Sequence, residues 1–266
     1  MINFKKLDSV KDVLPLRKLY YSSLLKPMED YHDIVHIITA KYFGIYLNDN
    51  LIGYYSISNN NNLLSQFYIV DDYKNLNEKI FSMVIEDYNI SGAIVCSIEK
   101  DFLSLAMGIA REVSIDSYLF YDFNLNNFVS EYDNLNFTLA KKEEIKEVKK
   151  FYMKNLNEND EYIDNYLSGL ILNDGLFLLC DDNDILGVGE YRKSNIFPGT
   201  VNLGIVVNQP YRNRGYGSYI MGKLLEKSLI REDIAICSCD FDNIPSKKAL
   251  IKAGLTSRHK VIKVVF

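Results

Sequence analysis

Apolar residues recur along this chain with two periods, and the switches between them mark out the elements. Lys142–Lys154 places Ile145, Val148, Phe151 and Tyr152 on one side of a predicted helix, with a short strand, Phe137–Leu139, before it. Leu176–Cys180 and Ile185–Tyr191 read as strands joined by the turn signal Asp181-Asp182-Asn183-Asp184. Val201–Val207 is a third apolar strand, followed by a basic loop with glycines and a helix near Tyr216–Leu229. Ile234–Asp240 reads as a strand, Pro245–Ala253 as a short helix stopped by Gly254, and Val261–Phe266 as a final strand.

The first half repeats that order. Ile2–Leu7 is a predicted strand and Val10–Leu25 a helix that Pro15 should kink or start late. Tyr42–Leu47 and Leu51–Ser58 form a predicted hairpin around Asn48-Asp49-Asn50, with Asn59–Asn62 as a loop tip. Leu64–Val70, Ala93–Ile98 and Ser117–Phe123 read as strands, Leu76–Tyr88 and Phe102–Ala110 as helices. The matching order predicts an internal duplication. The polar, Asn-rich stretch 124–136 is the expected linker, leaving domains over 1–123 and 137–266. Each is expected to be an α/β domain, a mixed sheet flanked by helices.

Composition narrows the class. With 266 residues, 48% hydrophobic and 24% charged, the chain can bury a full core without disulfides or a structural metal. A net charge of −5 and no long Lys/Arg block argue against nucleic acid as a partner. Cys96, Cys180, Cys237 and Cys239 fit neither a zinc knuckle nor a redox pair, and read as free thiols of a reducing compartment. The first residues, MINFKKLDSV, have no apolar signal core and no run approaches a membrane span, so the expected location is cytoplasmic.

The informative segment is Val207-Asn-Gln-Pro-Tyr-Arg212-Asn-Arg-Gly215-Tyr-Gly217. An apolar strand runs into a turn with two arginines and two glycines and then opens a helix. Glycines there allow positive φ and close approach of a ligand. Unpaired N–H groups at the helix start, the positive end of its dipole and the arginines suit a phosphate. A tight turn with solvated arginines is the alternative on this loop alone. Gly217 to Lys223 has the spacing of a nucleoside triphosphate loop, but Leu224 stands where Ser or Thr is needed. The dinucleotide pattern fails at Ile220.

Arg212, Gly215 and Gly217 between a strand and a helix resemble the coenzyme A pyrophosphate loop of GNAT acyltransferases. Asp242-Asn243-Ile-Pro-Ser246 through Lys252-Ala-Gly254-Leu255 is similar to that family's late segment, with the family's usual separation between the two. The resemblance covers about 137–266 well and 1–123 faintly. It implies that Ile205, Val206 and Val207 pair with the pantetheine arm. Amides from Arg212, Asn213, Arg214, Gly215, Tyr216, Gly217 and Ser218 would hold the pyrophosphate, with Asn243 and Ser246 lining the far side. It implies acetyl-CoA as acyl donor, an amine as acceptor, direct attack on the thioester, and no metal. The Val207 amide would meet the thioester oxygen.

The chain departs from the family at the catalytic positions. Leu250 stands where a Tyr acid is common, and Val201–Val207 carries no carboxylate. Glu190 and Asp240, each near a strand end, are the remaining base candidates, with solvated strand-end residues as the other reading of both. A non-catalytic acyl-CoA-binding module therefore stays open beside the N-acetyltransferase. In the first half Asn77 and Lys79 occupy the glycine positions and Asp71 and Asp72 add negative charge, so that half reads as a repeat without a phosphate loop. His32 and His36, four apart on a predicted helix, lack a third metal ligand, and His259 stands alone.

Overall fold

Asn48-Asp49 folds as its turn chemistry requires. Both residues take positive φ, 48° and 68°, in the computed structural model, and the chain reverses between β2 (Lys41–Leu47) and β3 (Asn50–Ile57). The structure describes residues 1–32, 36–37, 39–59, 62–128, 132, 134–156, 160–182 and 184–266. Asn60, Asn61 and Asn183 of the expected turns lie outside the described residues. Two units are separately compact: Met1–Tyr118 with His259–Phe266, and Leu119–Arg258.

The first unit runs β1 (Ile2–Lys6), α1 (Leu14–Ser23), the single turn α2 (Asp30–His32), β2, β3 and β4 (Leu64–Ile69). It continues through α3 (Asn77–Tyr88), β5 (Gly92–Cys96), α4 (Lys100–Gly108) and the start of β6 (Glu112–Phe123). Pro15 sits in the first turn of α1, where its missing N–H costs nothing, so the α-helix starts late and Val10–Val13 forms a 3-10 turn. Strands β1 to β4 pair antiparallel in sequence order. β4 meets β5 in parallel, and Val261–Val265 lies antiparallel on β5. Phe43, Tyr55, Phe67, Phe81 and Phe102 form its core against α3 and α4.

The second unit takes the end of β6 and adds β7 (Asn136–Leu139), α5 (Ile145–Leu156), α6 (Asp160–Leu172), β8 (Leu176–Asp181), β9 (Asp184–Lys193) and β10 (Thr200–Val207). Then come α7 (Tyr216–Arg231), β11 (Ile234–Asp240), α8 (Ile244–Lys252) and the start of β12 (Leu255–Val265). Strands β7 to β10 are antiparallel neighbours in order, β10 and β11 are parallel, and β6 lies beside β11. The pairing order of the first unit thus recurs, which is the structural form of the duplication. Val148, Phe151, Tyr152, Leu167, Leu176 and Val188 fill the core under α5 and α6.

Two features position the site. β10 follows β9 along its whole length, from Val201↔Lys193 to Val207↔Gly187, but its register with β11 covers only Thr200↔Ile234, Val201↔Ala235 and Asn202↔Ile236. Past Asn202 the two parallel strands no longer pair. On the opposite face, a Cβ on Gly187 or Gly189 would fall 2.7 or 2.8 Å from Ile220, so these glycines let α7 lie directly on β9.

The structure departs from the sequence reading in several places. The sequence reading gives no element between Lys154 and Leu176, but α6 begins at Asp160 and buries Ile163, Leu167, Leu170 and Ile171; 157–159 lie outside the described residues. The final strand starts at Leu255, not Val261. Contacts assign Leu119–Phe123 to the second unit and His259–Phe266 to the first, opposite to their halves of the chain. The stretch expected as linker is anchored at its start: the Asn124 amide donates to the Gly254 carbonyl at 2.9 Å, and the Phe128 ring occupies the space over Gly222 of α7.

Candidate functional site

β10 ends at Val207, and Pro210 at the head of a 3-10 turn (Gln209–Tyr211) takes the chain out of the sheet. Asn208 ties that turn to β9 through its amide to the Leu186 carbonyl and Nδ2 to the Ile185 carbonyl, both at 3.0 Å. Arg212 Nε returns to the Val207 carbonyl at 3.1 Å. Asn213 and Gly215 take φ of 62° and 91°, and Gly215 is the N-cap of α7 with no side chain capping the helix. The first amides of a 16-residue helix are therefore left to another acceptor, at the positive end of its dipole. Gly217, expected to take positive φ like Gly215, is helical. A Cβ there would make ordinary contacts of 3.4 Å with Ala249 and Ile205, so the fold itself does not demand glycine at this position.

These elements enclose a cavity of about 560 Å³. Every residue assigned to coenzyme A from sequence lines it except Arg214. The Arg214 guanidinium lies over the Tyr211 ring at 5.4 Å, and its carbonyl accepts a hydrogen bond from the Tyr132 hydroxyl. The Tyr132 ring rests on Tyr216 at 4.8 Å and meets Tyr219 edge-on at 5.6 Å. Asn243 caps α8 by accepting from the Ser246 amide at 3.2 Å, and both residues line the cavity. Sequence reasoning missed Leu156, Lys248 and Lys252 in the wall. Lys252 was visible in the late segment, but only the turn of α8 brings its Nζ to 3.7 Å from where a Gly215 Cβ would be.

The carboxylates lie elsewhere. Among the described residues lining the cavity there is no Asp or Glu. Glu190 is buried on the neighbouring strand, opposite Gly204, where it accepts hydrogen bonds from Tyr152 at 2.6 Å, Tyr166 at 2.5 Å and Arg192. Burial, and after it the Glu190 charge, holds both tyrosine hydroxyls above the ordinary phenol range. Glu190 is thus no solvated strand-end residue. Asp240, at the end of β11, is exposed. Beside it Cys239 is pushed up to about 11, by burial first and Asp240 second, and its thiol stays protonated at neutral pH. Tyr191 donates to Asp233 at 2.7 Å, and Leu250 is 2% exposed.

Among the described residues no group of three or more His, Cys, Asp or Glu side chains could hold a metal ion. The His32 and His36 rings lie 5.0 Å apart, and burial lowers both, His32 to about 3. The cysteines are free. Among the described residues no helix is long and apolar enough to cross a membrane.

Comparison with known proteins gives the family. Two family models described as acetyltransferase (GNAT) domains match residues 9–123 and 123–256. The chain belongs to the GNAT acetyltransferase family and carries two of its domains in tandem. A solved GNAT-family acetyltransferase from Colwellia psychrerythraea has a TM-score of 0.91 at 22% identity over 99% of both chains. A tandem GNAT protein from the clavulanic acid biosynthesis pathway has a TM-score of 0.57 at 13% identity, covering 99% of this chain and 98% of that one. At these identities the likeness is one of fold. An uncharacterized N-acetyltransferase of Bacillus subtilis (strain 168), YjdG, is 29% identical over 82 residues, 30% of this chain and 49% of its own length.

Proposed function

We propose that the second unit binds acetyl-CoA in the 560 Å³ cavity and transfers its acetyl group to an amine by direct attack. The observation that carries this reading is the coincidence of two open hydrogen-bonding edges on one cavity. β10 past Asn202 has no β11 partner and can take the pantetheine amides as an added strand, while the uncapped start of α7 suits the pyrophosphate. Lys252 supplies positive charge beside that helix start.

The nitrogen lone pair attacks the thioester carbonyl, the carbon–sulfur bond breaks, and CoA leaves as thiolate. The Val207 amide is the donor toward the developing oxyanion. Glu190 is the base, working through Tyr166: the ammonium gives its proton to the Tyr166 oxygen as the Tyr166 proton passes to Glu190. Asp240 is the second candidate. The first unit contributes no donor site. Its equivalent of the loop is a 3-10 turn, Asp71–Leu76, whose Lys74 is already paired with Asp71 at 2.8 Å and Asp101 at 2.9 Å. Free thiols and an acetyl-CoA substrate fit a cytoplasmic enzyme.

The cavity wall without a carboxylate favours one second reading, an acyl-CoA-binding module with no turnover. Calorimetry with acetyl-CoA tests the binding that both readings share. CoA release measured over a broad amine panel separates them, since a module binds acetyl-CoA and releases none.

A further inference from the structure

A second cavity, of about 440 Å³, lies in the same unit between α6 and the far end of β9. Tyr166, Arg192, Lys193, Asn165, Asn173 and Asn195 are among the residues that line it. On a chain of net charge −5, the described residues of this wall include two cations and no carboxylate. The Glu190 carboxylate is buried behind Tyr166 and Arg192 and is bonded to both.

Strand register places this groove relative to the first cavity. Arg192 is opposite Asn202, Glu190 opposite Gly204, and Gly189 opposite Ile205. Ile205 lines the acetyl-CoA cavity and Arg192 lines the groove. Three steps along β10 separate Asn202 from Ile205, about 10 Å at the rise of a strand. The interval begins where pairing with β11 stops, and Glu190 lies within it.

We infer that this groove is the acceptor subsite and that it takes a small amine carrying an anionic group, a carboxylate or a phosphate. The inference rests on the acetyl-CoA reading of the neighbouring cavity. The amine end lies at Tyr166 and the Glu190 charge behind it. The anion lies at Lys193 with Asn165 and Asn195, an exposed cation beside neutral side chains able to donate to oxygen atoms. Arg192 is already paired with Glu190, so a neutral acceptor of the same shape leaves the Lys193 charge uncompensated.

The test pairs each of the common amino acids with its carboxamide, and aminoalkyl phosphates with the matching amino alcohols, in an acetyl-transfer assay on the full chain. At least one anionic member should exceed its neutral counterpart in kcat/KM by about tenfold or more, the worth of one hydrogen bond to a charged group. The phosphate and carboxylate arms show which anion fits. Lys193→Glu should erase that preference through KM and leave acetyl-CoA affinity unchanged. Calorimetry of the same amines without acetyl-CoA reads the groove independently of the donor site. Equal use of neutral counterparts, a preference that survives Lys193→Glu, or acetyl-CoA binding with no panel member bound or turned over would each overturn the inference.

Discussion

The Glu190 carboxylate occupies the space that Gly204 leaves beside it on the neighbouring strand. A Cβ on Gly204 would stand 2.8 Å from Glu190 Oε2 and 3.0 Å from Arg192 Nη1. The glycine of β10 and the glutamate of β9 are thus one feature: a gap in one strand admits a buried charge from the next. Tyr152 from α5 and Tyr166 from α6 close over that charge.

Glu190→Ala removes the acceptor of three donors in a buried setting and should destabilise the protein by about 3 kcal/mol or more. Glu190→Gln, which keeps an oxygen acceptor, should cost clearly less. Both should lower kcat while acetyl-CoA affinity holds. Urea unfolding and steady-state kinetics check this, and equal stability of Glu190→Ala and wild type would contradict it.

Tyr132 reaches the loop from a stretch expected to be linker. Tyr132→Phe keeps the ring against Tyr216 and removes only the bond to the Arg214 carbonyl. One hydrogen bond of about 1 kcal/mol predicts a several-fold rise in KM for acetyl-CoA with kcat unchanged. A fall in kcat alone would place Tyr132 outside loop positioning.

The second unit has closed around Leu250. Leu250→Tyr therefore overpacks the core, costs about 1–3 kcal/mol and supplies no acid to the cavity. In the wild type the rate should rise with pH to a plateau, because a thiolate leaves without a protein acid. A descending limb near 11 would identify Cys239, which burial holds there.

Two buried groups of the first unit make its stability depend on pH in opposite senses. His32 falls from 6.5 to about 3 on folding, chiefly by burial, so its contribution is present above pH 6.5 and is lost as pH falls toward 3. Glu99 rises from 4.5 to about 8, driven by burial against the opposing hydrogen bonds from Tyr20 and the Cys96 amide. Its contribution is whole below pH 4.5 and is lost as pH rises through 8. The two slopes cancel between 4.5 and 6.5, and from 6.5 to 8 stability should fall by about 2 kcal/mol. The Tm of Glu99→Gln relative to wild type should therefore be higher at pH 9 than at pH 6.

Much of this was legible in the sequence where the signal is local. Turn chemistry at Asn48-Asp49, the Pro15 helix start and the Arg212–Gly217 loop depend on a few adjacent residues. α6 was missed although Ile163, Leu167, Leu170 and Ile171 have helical spacing, because Asn155, Asn157 and Asn159 read as loop and hid its start. The surroundings of Glu190 come from two helices and a neighbouring strand, and no spacing rule announces them. Strand exchange at the chain ends is equally nonlocal. Val261–Val265 pairs with β5 of the first unit, and two repeats with the same strand order offer two such slots.

That exchange decides how the central claim is tested. A fragment ending near residue 130 would lack the strand that completes the first unit, so the full chain must be used. Gly217→Asp is the suitable variant. Its Cβ has room, an acidic residue in the first turn of a helix is tolerated, and the carboxylate enters the site assigned to the pyrophosphate. Calorimetry should show acetyl-CoA binding to the wild-type chain and none to Gly217→Asp, with both proteins melting at nearly the same temperature when unliganded. Undiminished acetyl-CoA binding by a well-folded Gly217→Asp protein would contradict the assignment of this cavity.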